Sequence, residues 1–301
     1  MGDSKTSCSD VWEATQLIAN RSDVLRRIRT AGLDRVQQAV EGLVMDSIRV
    51  STRPFEGGLV AVSKLGGNPD LPAGESWPER SGKPLAFIGQ FRMRDMAPYD
   101  SEKVLPDDGM MWFFYDAEDQ PWGDFADRGG WKTIYRNVSG SAVKPTEPPS
   151  NLPEACRFAP CLAQFSTEAT LPGSESFRVQ VLNLDDDEAE AYTELLGWLG
   201  GGDVGRHRLL GHPDTIQGEM EDQCERESRS PYYLYFKEDQ KTARLAELAE
   251  RSRAWRLLCQ IDSDGNTGME WGDTGRLYYW VRGDALRERN LDDVWLVLQC
   301  S

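Results

Sequence analysis

The densest run of potential chemistry in this chain is QIDSDGNTGMEWGD, residues 260–273. It sets three aspartates, a glutamate, an asparagine and three glycines between two apolar runs. A short loop so rich in oxygen suits a hard cation such as calcium, or a pair of carboxylates working as acid and base. Counted from Asp262, the residues Asp264, Asn266 and Asp273 fall at positions 3, 5 and 12 of a calcium loop. Position 6, where such a loop needs glycine, is Thr267. Asp273 also reaches less far than the bidentate glutamate of that motif, and the flanks WRLLCQI and GRLYYWVR read as strands rather than helices. DSDGN supplies what a turn requires, namely side-chain acceptors and a glycine for positive φ. The expectation is a structural connection. Its alternatives are a metal loop and an acidic cleft built from Asp262, Asp264 and Asp273.

Other motifs carry less. His207 and His212, in GRHRLLGHPDTIQ, stand five apart and do not share a helix face, so structural hydrogen bonding is expected of both. GGGDVG at 200–205 has the dinucleotide spacing, yet it follows a helix where the pyrophosphate site needs a strand, so it reads as a helix stop. No G-x-S-x-G elbow or P-loop is present, and the six cysteines show no paired metal-ligand spacing. Trp77, Trp112, Trp122, Trp131 and Trp271 are placed in or beside loops as core plugs. The ligand-binding candidates are Asp262, Asp264, Trp271, Asp273, His207 and Gln260, with no catalytic residue, metal or cofactor assigned.

Elements must position these residues. Val24, Ile28, Leu33, Val36, Val40 and Leu43 recur at helical steps, so residues 1–50 read as a helical segment. SIRVSTRP, GLVAVSKLGG, LAFIGQF and GMMWFFYD read as strands, and residues 66–84 as a long ordered loop. Four prolines make 139–155 the expected flexible connection. DEAEAYTELLGWLGG, with acids in its first turn and glycines past its end, is a helix; another spans 238–253. The chain closes on WRLLCQI, GRLYYWVR and VWLVLQC.

Two regions repeat one pattern. In PLAFIGQF and WRLLCQID an apolar strand carries Gln90 or Gln260, and after a polar link Gly109 or Gly275 opens an aromatic strand. The interval is 19 residues in one case and 15 in the other. This predicts an internal repeat, about 58–138 and 206–301, in which the two glutamines hold equivalent places and satisfy backbone groups. The aromatic strands are apolar on both parities, which suits cover on both faces.

Taken together, GG-N-P-x-LP, WP, G-x-PL-x-FI-x-Q, HRLLGHP-x-x-IQ and LLxQIDSD…WGD-x-G resemble the YwqG-like family of bacterial domains. The resemblance covers about 58–299, most of the chain. It implies an α+β fold with much sheet in a cytoplasmic setting, and it names no catalytic residues. His212 departs from that pattern, which has an aromatic there.

The expected fold is therefore α+β: a duplicated, largely antiparallel β-sheet core with helices packed outside, at 51–301, behind the N-terminal helical segment. A net charge of −16, from 50 acidic against 34 basic residues, excludes sequence-independent nucleic-acid binding and suits a basic protein partner. No run has the roughly 20 apolar residues of a membrane span, and no secretory signal opens the chain. The functional expectation is a non-catalytic, cytoplasmic protein-binding module, antidote-like or regulatory. The alternative is a hydrolase or other enzyme using the acidic cleft.

Overall fold

Strands that are apolar on both parities lie toward the two ends of one large antiparallel sheet. The computed structural model describes residues 19–200, 206–229 and 241–301. Among them ten strands join: β1 (Met45–Pro54), β2 (Lys64–Leu65), β3 (Ala86–Arg92), β4 (Met110–Tyr115), β5 (Trp131–Arg136), β6 (Cys161–Thr170), β7 (His207–Leu209), β8 (Trp255–Asp262), β9 (Arg276–Arg282) and β10 (Val294–Gln299). Their order is β10-β9-β8-β7-β1-β6-β2-β3-β4-β5. At the centre, β1 and β6 pair along their whole length, from Met45↔Thr170 to Pro54↔Cys161. At the ends, β5 and β10 approach one another. Trp131 packs edge-to-face on Trp295 at 4.9 Å and its Nε1 donates to the Val294 carbonyl. The sheet is thus nearly closed into a barrel. Phe113 of β4 meets Tyr279 of β9 at 4.9 Å across the interior. The opposite parity of β4, Trp112 and Phe114, packs with Phe87 and Leu71 in a separate cluster, so this strand is covered on both faces. Burying each such aromatic contributes on the order of 1.5–3 kcal/mol.

Three helices share another core. Val24 and Ile28 of α1 (Arg21–Ile28), Val40 of α2 (Gln37–Leu43) and Tyr192 and Leu195 of α3 (Asp186–Leu199) pack with Ala169 and Leu171. Asp185 caps α3 in a reciprocal box with Glu188, and three acids in its first turn suit the helix dipole. The later helices include α4 (Glu221–Arg229), α5 (Lys241–Ser252) and the short α6 (Gly283–Arg287).

The two wings of the sheet share one register. Phe87↔Phe114, Gly89↔Phe113 and Gln90↔Trp112 pair in β3–β4, with a bulge at Ile88. Leu257↔Trp280, Cys259↔Tyr279 and Gln260↔Tyr278 pair in β8–β9, with a bulge at Leu258. Lys64↔Gln90 joins β2 to β3 as Arg208↔Gln260 joins β7 to β8. Beyond these, Cys161↔Leu65 joins β6 to β2 as Ile48↔Leu209 joins β1 to β7. Each wing therefore leans on the long strand that precedes the other in the chain.

Four expectations need correction. The helical segment gives way to strand at Met45, because the β1–β6 ladder already begins there. GLVAVSKLGG yields only Lys64–Leu65 as strand; Gly57, Gly58 and Ala61 have positive φ, which breaks extended structure. The proline-rich stretch is not a free connection, since Val143–Pro145 pairs with Asp70–Pro72 and Thr146 N–H donates to the Pro69 carbonyl. Trp112 sits within a strand, fully buried, and not at a loop.

Candidate functional site

The acidic loop begins where β8 leaves the sheet, and its first carboxylates are taken up at once. Asp262 accepts from the Arg206 N–H at 2.8 Å and lies 3.1 Å from Arg276 Nε. Asp264 accepts from the Asn266 N–H at 2.8 Å and from Thr52 Oγ1 at 2.8 Å. Its backbone carbonyl receives the N–H groups of Thr267 and Gly268, and a bridge to Met269 closes the turn. His207 Nδ1 accepts from the Asp262 N–H, which leaves the proton on Nε2, 3.2 Å from Asp264 Oδ2. Burial would raise the Asp264 carboxyl, but the bond and charge of His207, then Thr52 and the Asn266 N–H, hold it below its ordinary range.

The remaining candidates lie apart. Asp273 is exposed and bonds to its neighbour Thr274. Trp271 is fully buried, edge-on to Tyr115 and Phe158. Among the described residues no group of three or more His, Cys, Asp or Glu side chains is arranged to hold a metal ion. The structure thus brings Asp262, Asp264 and His207 together, and leaves Asp273 and Trp271 outside that group. His212 is a structural histidine: its Nε2 lies 2.8 Å from the Leu43 carbonyl, and burial lowers its pKa to about 4. Of the 200–205 glycine run, Gly200 is the C-cap of α3 and 201–205 lie outside the described residues.

Gln260 leads to a second group of side chains. Its Oε1 accepts from the Asp214 N–H at 2.9 Å, and its Nε2 donates to the Arg206 carbonyl at 2.6 Å and to Asp214 Oδ2 at 3.1 Å. Asp214 also pairs with Arg208 at 2.8 Å. Arg208, only 4% exposed, reaches Glu168 at 3.2 Å and donates to the His212 carbonyl. Glu168 faces Arg49 at 3.6 Å, and Arg276 Nη1 donates to the Asp214 carbonyl. Burial works against ionisation of Asp214, but Arg208, then Arg206 and Gln260, hold its carboxyl below the ordinary range. Beside this cluster opens a cavity of about 190 Å³, lined by Arg206, Arg208 and Arg276 together with Leu171, Leu196 and Leu199.

Residues 63–300 match the family described as Domain of unknown function (DUF1963). The chain belongs to that family. No curated protein matches it. The DUF1963 match begins at Ser63 and so takes in both Lys64–Gln90 and Arg208–Gln260, the paired corners of the two wings. No helix among the described residues of this DUF1963 chain is long and apolar enough to cross a membrane.

Sequence reasoning missed Arg208, Asp214, Glu168, Arg276 and Arg206. A signal existed for the first two. KLGGNPDLPAG and RLLGHPDTIQG share Leu, Gly, Pro, Asp and Gly at the same spacing, and Lys64 and Asp70 stand where Arg208 and Asp214 do. Gly67 and Gly211 both have positive φ, and a Cβ on Gly211 would meet Ser47 Cβ at 2.6 Å. Glu168, Arg276 and Arg206 come from separate segments with no shared motif.

Proposed function

We propose that this chain is a non-catalytic binding module, antidote-like or regulatory, which acts in the cytoplasm through a basic protein partner. The observation that carries the reading is the condition of the acidic loop. Asp262 and Asp264 each hold backbone N–H groups and a cationic or histidine partner, so neither stands ready to move a substrate proton or bind a cation. The net charge of −16 supports the choice of a basic partner, since opposite charge speeds encounter. The match over 63–300 and the YwqG-like motifs support one domain at 51–301 behind the N-terminal segment. We further propose that its two wings are copies of one unit with helices packed outside, a reading supported by their common register and by the bulges two residues before Gln90 and Gln260.

The test is kinetic. A partner captured with the full chain should associate several-fold more slowly at physiological than at low salt, with its dissociation rate changing less, because screening acts within about 8 Å. An association rate indifferent to salt removes the electrostatic reading. Turnover of a small molecule by the isolated protein, lost in Asp262→Ala, removes the non-catalytic one.

A further inference from the structure

The wing containing Lys64 is a built-in control for what the fold requires of the wing containing Arg208. In the first, Gln90 Oε1 accepts from the Asp70 N–H, and Nε2 donates to the Val62 carbonyl and Asp70 Oδ2. In the second, Gln260 makes the same three bonds with Asp214 and the Arg206 carbonyl. One buried cation, Lys64 at 3.1 Å from Asp70, completes the first corner. Around it the register sets apolar residues: Val62 where the second wing has Arg206, and Met110, opposite Arg92, where Arg276 stands opposite Asp262. The shift that aligns Ile48↔Leu209 with Cys161↔Leu65 places Phe55 where Glu168 stands, and Leu162 where Arg49 stands.

The second corner therefore gathers four charged side chains, Arg206 and Arg276 from its wing and Arg49 and Glu168 from the central strands, that the first corner does without. Charges taken out of water cost several kcal/mol each unless well compensated, and an apolar substitute is often no worse for stability. Val62, Met110, Phe55 and Leu162 are such substitutes in the same fold. Glu168, Arg206 and Arg276 line the 190 Å³ cavity with Leu171, Leu196 and Leu199, and Arg49 lies 3.6 Å from Glu168.

We propose that this cavity is a binding site for a small monocarboxylate with a short aliphatic tail. Guanidinium groups are planar forks matched to a carboxylate, and Arg206, Arg208 and Arg276 all line this cavity. Leu171, Leu196 and Leu199 give the tail an apolar surface. Glu168 and Asp214 on the same lining oppose a dianion, which selects a carboxylate over phosphate. This site is independent of any protein partner of the acidic surface.

The test is titration of the full chain with butanoate at constant ionic strength, followed by calorimetry and melting temperature, with inorganic phosphate and butylamine as comparison probes. Butanoate should bind saturably and raise the melting temperature; phosphate should bind more weakly and butylamine not at all. Arg206→Val and Arg276→Met, which install the first wing's residues, should each weaken butanoate about tenfold or more, the loss of about one charge-assisted hydrogen bond. Leu199→Asp, at a partly exposed position on the cavity lining, removes apolar surface from the tail and adds an opposing charge; it should weaken butanoate likewise, and it reads the proposal if an arginine variant does not fold. No saturable binding of butanoate, equal binding of phosphate, or undiminished binding in Arg206→Val and Leu199→Asp would each overturn the site.

Discussion

Two corners of one sheet solve the same backbone problem with different amounts of charge. At the first, Asp70 is fully buried and its Oδ2 takes Lys64, Gln90 Nε2 and the Ala61 N–H. At the second, Asp214 takes Arg208 and Gln260 while remaining partly exposed, and Arg208 keeps Glu168 as a second anion. The difference separates two roles. Tying a Gly-x-Pro-Asp turn to a glutamine in the next strand is a matter of fold and needs one buried ion pair. Of the surplus groups at the second corner, Arg206, Arg276 and Glu168 are those proposed above to serve binding in the cavity they line.

The largest effect that could break this comparison comes from deleting each aspartate. Asp70→Ala leaves a buried ammonium without its partner and should cost about 3–5 kcal/mol in urea unfolding. Asp214→Ala should cost less, because Arg208 retains Glu168 at 3.2 Å. The reverse order would show that the first corner is not the simpler structural one. Replacing the glutamines comes next. Gln90→Leu and Gln260→Leu each strand a buried aspartate N–H and a carbonyl, so each should cost about 1–3 kcal/mol, with the two values close. A marked inequality would mean that equal hydrogen bonds do unequal work.

A further effect distinguishes the corners by pH. His212 occupies the place of Asn68, and burial, opposed by its bond to the Leu43 carbonyl, lowers its pKa from 6.5 to about 4. The unfolded chain therefore takes up the proton first as pH falls. The contribution of His212 to stability is whole above pH 6.5 and is lost on acidification toward pH 4, at up to about 1.4 kcal/mol per pH unit. His212→Asn should flatten that slope in urea titrations run at several pH values; an unchanged slope assigns it to other groups. The smallest expected effect is none. Millimolar calcium should leave the melting temperature unmoved, where a ligand at 100 times its dissociation constant would add about 2.7 kcal/mol. A rise abolished by Asp262→Ala would restore the metal reading of the loop.

Much of the fold was legible because its signals are local. Alternating and doubly apolar runs announced LAFIGQF, GMMWFFYD, WRLLCQI and GRLYYWVR as strands, and all four appear. The acids before AYTELLGWL, with glycine after it, bounded α3 closely. Glycine and proline misled where tertiary pairing overrode them: residues 139–155 looked like a connection, yet Val143–Pro145 finds a strand partner more than 70 positions earlier, at Asp70–Pro72. Of the ligand-binding candidates, Asp262, Asp264 and His207 lie together because they border adjacent strands, Gln260 joins the neighbouring cluster of Asp214, and Asp273 and Trp271 point elsewhere because a turn redirects side chains within one or two residues.

By itself, then, the sequence determined the apolar strands β3, β4, β8, β9 and β10, the bounds of α3, the acidic balance and the matched glutamines, because periodicity, caps and composition act within a few residues. Tertiary structure alone decided that β1 and β6 would lie between the wings, and that each wing would lean on the long strand preceding the other. That arrangement brings Glu168 from β6, Arg208 from β7, Arg276 from β9 and Arg49 from β1 to one place. Their charges are ordinary in sequence. Their meaning depends on burial and on the partners within a few ångströms, which no spacing along the chain encodes.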